Sequence, residues 1–264
     1  MAWGAAATSE AQQPKYGREH MRAMLERQKS RVNRTPIRMA LVGKENTCKT
    51  GLALDLAGAE SGKTITIFDF DNSAAETVAH LYPDAKNINI ISLYDEGDES
   101  LFNEDNTTNW VALIDKVGWF VNLISEDINA NPEEHGAFIF DGGSTFMKWC
   151  EFAMTGVLLR RGTIKDEGDS FNQKEWRTRN QLFRDIINRV HALPLDKIYF
   201  TFHLKDNKTF VDVGGGSKGL VKIGEKVDWV EGTQRIVSQQ IFLARYRKKA
   251  NESSGVKGDD KLKE

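Results

Sequence analysis

Four short runs of the chain are apolar almost throughout: IRMALVG at 37–43, TITIFDF at 64–70, AFIFD at 137–141 and KIYFTFH at 197–203. A strand with one face in water alternates polar and apolar residues, whereas a strand apolar on both sides has to be covered on both. Between these runs lie segments of helical length and periodicity, at 51–60, 110–128 and 176–193, and another helix is expected after Asp141. Shorter strands are expected at 88–93 and 239–246, and hairpins at 210–230, where alternation and glycines coincide. The pattern predicts an α/β fold with a mostly parallel central sheet flanked by helices and with C-terminal hairpins.

With 264 residues, 40% of them hydrophobic, the chain can build one large domain. We expect a tail and a basic helix over 1–35, a core over 36–248 and a disordered charged tail over 249–264. A formal net charge of −2 excludes a protein that is cationic overall, so any nucleic-acid binding must come from local patches. The two cysteines, Cys48 and Cys150, form no Cys-x-x-Cys pair, which argues against a disulfide scaffold or zinc ribbon and for a cytoplasmic setting. No apolar stretch approaches the roughly 20 residues of a membrane span, so no membrane partner is expected.

The octapeptide GKENTCKT at 43–50 joins the first apolar run to the first helical segment. It follows the phosphate-loop pattern G-x-x-x-x-G-K-[ST], except that Cys48 replaces the second glycine. In such a loop consecutive backbone amides and the start of the next helix surround an anion. Gly43, Lys44, Glu45, Asn46, Thr47, Cys48, Lys49, Thr50 and Gly51 are the expected nucleotide contacts. Lys49 would neutralise the terminal phosphates, and Thr50 would hold magnesium. Asp141 closes FIFD where a second magnesium contact is expected, so a nucleotide and Mg2+ are the implied cofactors. Cys48 adds a side chain where backbone should approach phosphate.

Asp69 and Asp71, in FDFDN, alternate onto one side of their strand end, where one of them can orient a water. His203, closing KIYFTFH, belongs to the same sheet edge as a phosphate sensor. Two segments combine cations with aromatics or glycines as flexible loops suited to single-stranded nucleic acid. One, at 158–176, carries Arg160, Arg161 and Lys165; the other, at 205–222, carries Lys205, Lys208 and Lys218. Arg245, Arg247 and Lys248 cluster near the end of the last strand, where they could supply a cation to the nucleotide of an adjacent subunit.

In this order, GKENTCKT, FDFDN, FIFDGGST and FTFHLKD with its glycine-rich sequel resemble the RecA-like ATPases, above all the core-only recombination ATPases of bacterial and archaeal viruses. The resemblance covers about 37–246. It implies Asp71 as catalytic acid, His203 as sensor, Lys49 as a catalytic cation, both loops as contacts to single-stranded DNA, and a homo-oligomer with ATP near a subunit boundary. The chain departs from that family in Cys48 and in Asp71, where glutamate is usual. KENTCKT and FDFDN also resemble the ParA and MinD type of dimeric partitioning ATPase, in which the first lysine, here Lys44, reaches into the partner's site. Glu45, Asn46 and Cys48 replace the three glycines of that pattern. The remaining alternative is a non-catalytic DNA-binding or scaffold protein with a decayed loop.

Overall fold

The computed structural model describes residues 36–93, 98–166, 171–212 and 218–245, together with Gly17, Glu19, Met21–Ala23 and Glu26; at positions 212 and 218 only the backbone is described. Residue packing separates Met1–Pro36 from Ile37–Glu264. In the first unit Met21 donates its amide to the Gly17 carbonyl, as in a helix. The expected basic helix otherwise lies outside the described residues, as does the C-terminal tail.

The second unit holds strands β1 (Ile37–Gly43), β2 (Thr64–Asp69), β3 (Ile88–Ser92), β4 (His135–Asp141), β5 (Lys197–Asp212), β6 (Lys218–Val227) and β7 (Gln239–Leu243). Its helices are α1 (Lys49–Ala57), α2 (Ala74–Leu81), α3 (Trp110–Ala130), α4 (Gly143–Arg160) and α5 (Trp176–His191). The strands form one seven-stranded sheet in the order β3-β2-β4-β5-β1-β7, with β6 paired to β5 off that path. Every pairing along the main path is parallel, and only β5 with β6 is antiparallel.

Strand residues of opposite parity enter two cores. Ala40, Val42, Phe68, Phe138, Phe140, Phe200 and Phe202 pack with α3, α4 and α5. Met39, Leu41, Ile65, Ile67, Ile139 and Tyr199 pack with α1 and α2 on the other face. Two-sided burial is therefore why these strands lack alternation. Rings fill the first core, with centroids 4.6 Å apart for Phe70 and Phe140 and 4.9 Å for Phe68 and Phe138. Filling of this kind contributes through buried area and, for Phe68 and Phe138, through edge-to-face contact.

Two expectations change. The first helix begins at Lys49, so the phosphate lysine and threonine stand in its first turn. The segment 205–222 is not a loose loop: β5 continues past the core to Asp212 and folds back through β6, with Phe210 opposite Leu220 and a bulge at Asn207/Lys208. The hairpin expected at 210–230 is thus present and begins earlier, inside the segment expected as a loop; 213–217 lie outside the described residues.

Candidate nucleotide site

Parallel pairing brings the carboxyl ends of β1, β2 and β4 to one edge, where β5 leaves the core at His203, with Gly43 level with His203 and Asp69 level with Asp141. Ligands collect at this edge in open α/β sheets. The loop after β1 turns there because Gly43 has no side chain: a Cβ would collide with Thr47 Oγ1 and lie 2.8 Å from the Leu243 carbonyl. Thr47 Oγ1 donates to the Lys44 carbonyl at 2.9 Å. Asn46 (φ 57°) and Cys48 (φ 59°) both take left-handed backbone. Cys48 therefore adopts the conformation that the pattern's glycine would take, with its side chain exposed. No side chain caps α1, and its first turn holds no acid, so its leading amides remain available to an anion. Lys49 is buried and donates to the carbonyls of Lys44 at 2.8 Å and Gly43 at 3.3 Å. Burial lowers its pKa, while Asp141, Asp71 and Glu45 oppose that shift.

Thr50 and Asp141 meet directly, with Thr50 Oγ1 donating to Asp141 Oδ2 at 2.8 Å. The other carboxylate oxygen accepts from Thr201 Oγ1 at 2.6 Å, and Thr201 Oγ1 in turn accepts from the Gly142 amide at 2.7 Å. Burial pushes Asp141 up to about 6, against the pull of the two threonine hydroxyls. A hydroxyl and a carboxylate side by side are hard oxygen donors of the kind Mg2+ takes, beside phosphate oxygens and water. The residues thus fit the ion. Among the described residues no cluster of three His, Cys, Asp or Glu side chains forms a ready-made cage.

The pair at the end of β2 divides its work. Asp69 turns inward and accepts from the amides of Ser73 (3.2 Å) and Ala74 (2.9 Å), closing the start of α2. Burial raises its pKa, and those amides oppose the rise. Asp71 lies beyond the strand on the bend before α2. Its Oδ1 accepts from Thr145 Oγ1, and its Oδ2 lies 3.2 Å from His203 Nε2. Burial pushes Asp71 up, but hydrogen bonds from His203 and Thr145 outweigh it and hold the carboxyl below its ordinary value. His203 is anchored through its backbone: its amide donates to Ser144 Oγ at 2.9 Å, and its carbonyl accepts from Asp228 at 2.8 Å. Its Nδ1 is buried without a hydrogen-bond partner.

Lys49, Thr50, Asp71, Asp141 and His203 line one cleft of about 860 Å3. The far wall comes from α2, through Glu76, Thr77, His80 and Leu81, and from Arg245. Arg245, expected to serve a neighbouring subunit, thus lines the cleft of its own chain; Arg247 and Lys248 lie outside the described residues. The loop cations do not join this site. Arg160 ends α4, which at 1.5 Å per residue puts it roughly 27 Å from the helix start. It lines a separate cavity of about 560 Å3 with Trp110, Phe152 and Phe171. Arg161 and Lys165 follow on the exposed turn after α4. Lys205 is ion-paired with Asp228, and Lys208 lies 3.9 Å from Asp206. The side chain of Lys218 is not described.

Sequence reasoning missed Thr145, Thr201, Gly142 and the wall from α2. A threonine inside the apolar run KIYFTFH was the one visible sign of Thr201, since a hydroxyl fully buried among aromatics needs a partner.

A search of curated proteins finds no match. A family model described as AAA domain matches residues 35–228, a span that takes in both motifs, the wall from α2 and every strand but β7. The chain belongs to the AAA domain family, a family of P-loop nucleoside triphosphatases.

Proposed function

We propose that this protein is a magnesium-dependent ATPase of RecA-like type that acts on single-stranded DNA as a homo-oligomer. The observation that carries the reading is the 2.8 Å contact between Thr50 and Asp141, made in a cleft that also holds Lys49 and Asp71. Lys49 would exchange the loop carbonyls for the terminal phosphates, and the free amides of α1 would take the rest of the chain of phosphates. Bound magnesium would neutralise charge on the transferring phosphoryl group. Asp71 would orient the attacking water, and His203 would report the phosphate to β5, which it shares with the outlying hairpin. Such catalysis rests on position and charge and asks for little covalent chemistry from the protein.

The DNA part of the reading is supported by the hairpin of β5 and β6. It carries the paired Lys208 and Lys222 near Phe210, which is 70% exposed and available for base stacking, and Lys226 farther along, level with Lys205. The ion pairs of Lys205 and Lys222 within the hairpin limit how much phosphate charge it can take.

The test is binding of a labelled ATP analogue with magnesium to wild type, Lys49→Ala and Cys48→Gly, each with and without single-stranded DNA. Binding that is lost in Lys49→Ala and strengthened by DNA supports the reading. Indifference of all three proteins to nucleotide overturns it, and binding by Cys48→Gly alone marks a decayed loop.

A further inference from the structure

Asp71 stands on a bend rather than in a strand, so pairing of the sheet does not fix its carboxylate. An aspartate carboxylate turns easily about its last torsion, which has broad rather than sharp minima. Two neighbours restrict it here. Thr145 Oγ1, in the first turn of α4, donates to Oδ1, while His203 Nε2 lies 3.2 Å from Oδ2. Gly142 leaves the room this position needs, because a Cβ there would come within 2.8 Å of the Asp71 carboxyl carbon and of Oδ1. Its left-handed backbone, φ 91°, is also one that a glycine takes without strain.

We propose that Thr145 is a positioning residue for Asp71: its hydroxyl fixes the carboxylate on the cleft wall, in the space that Gly142 leaves, so that water is held for attack. The inference rests on the nucleotide-hydrolysing reading above and deepens it. Each carboxylate oxygen has two lone pairs, so one bond to Thr145 and one to His203 leave a lone pair on each for water. Asp71 and Thr145 both line the cleft, and Thr145 lies four residues after Asp141 on the same turn into α4. One short turn, DGGST, thus fixes the carboxylate that meets Thr50 and the carboxylate that meets water. Sequence does not reveal this link, because Thr145 and Asp71 are 74 residues apart.

The experiment compares Thr145→Val, which keeps the branched shape and removes the hydroxyl, with Thr145→Ser, which keeps the hydroxyl. Magnesium-ATP hydrolysis and binding of a labelled ATP analogue are measured for both and for wild type. For Thr145→Val we expect kcat to fall about 10- to 100-fold, up to the loss that a misplacement of about 1 Å causes. Its analogue affinity should stay within about twofold of wild type, and Thr145→Ser should recover most of kcat. A role confined to helix packing would instead lower the melting temperature without separating binding from turnover. Thr145→Ala gives the same readout should the valine variant fail to fold. Wild-type kcat in Thr145→Val, or a serine variant as slow as the valine one, overturns this inference and leaves the ATPase reading standing. A wild-type protein that hydrolyses no ATP overturns both.

Discussion

Lys44 Nζ lies 2.5 Å from Glu225 Oε1, which ties the phosphate loop to strand β6 within one chain. Glu225 also lies 3.4 Å from Lys222, which pairs with Asp206 at 2.6 Å, so a row of alternating charges runs from the loop onto the hairpin. The bond from Lys44 holds the Glu225 carboxyl below its ordinary value. Lys44 is therefore occupied in its own chain, which weighs against a role in a partner's site. We expect Lys44→Ala to keep binding of an ATP analogue and to show the same ATP-dependent size as wild type by light scattering. Dimers that form with ATP in wild type and vanish in Lys44→Ala would favour the partitioning type of ATPase instead. Because the Lys44 side chain is 64% exposed, salt should weaken the pair, and Glu225→Gln should melt close to wild type.

Cys48 carries a left-handed backbone that a side chain strains by about 1–2 kcal/mol. Glycine relieves the strain but adds freedom to the unfolded chain, which offsets about 0.5–1 kcal/mol of the gain. We expect Cys48→Gly to stabilise the fold by up to about 1 kcal/mol in urea titration and to bind nucleotide more tightly. A destabilised variant would show that the Cys48 side chain makes contacts that outweigh the strain.

Asp141 is buried, and its carboxyl is raised to about 6 from 3.8. A carboxyl raised by folding binds protons more tightly in the folded state, so its contribution to stability is lost as pH rises from 3.8 to about 6. Above that range the ionised group costs roughly 1–3 kcal/mol in the absence of a cation. Asp141→Asn should therefore melt higher than wild type at pH 8 without magnesium, and should lose most hydrolysis. Magnesium with nucleotide should raise the melting temperature of wild type but leave the asparagine variant nearly unchanged.

Arg38, near the start of β1, is buried and donates from Nε to the His191 carbonyl at 3.1 Å and from a terminal nitrogen to the Leu193 carbonyl at 3.2 Å. These carbonyls lie at the end of α5, where a helix has no partners of its own. Arg38→Met should strip the His191 carbonyl of this donor and leave the Leu193 carbonyl only its bond from the Leu195 amide, destabilising the protein by about 1–3 kcal/mol, read from thermal or urea unfolding. Nucleotide affinity per folded molecule should not change, since no group of the cleft is involved.

The local parts of this protein were legible in its sequence because each follows from short-range physics. Apolar runs without alternation marked strands buried on both faces, and GKENTCKT between a strand and a helix marked a phosphate loop even with Cys48 in place of glycine. Asp141 was legible because it ends an apolar strand, and strand ends in a parallel sheet share one edge. The glycines at 142 and 143 stood in the sequence without a visible reason. Their reasons are the Asp71 carboxylate and the Phe202 ring, each distant along the chain.

What the tertiary structure decided is which distant groups share a hydrogen bond. Asp69 and Asp71 have the same chemistry two residues apart, yet one closes a helix and the other faces the cleft. Thr145 and Thr201 become partners of carboxylates only when α4 and β5 are laid beside β2 and β4. Arg245 belongs to the cleft because β7 pairs with β1, a register that its own residues do not specify. Secondary structure is set within a few residues by periodicity and turns, whereas the site depends on strand order, and strand order is chosen by burial of the whole sheet.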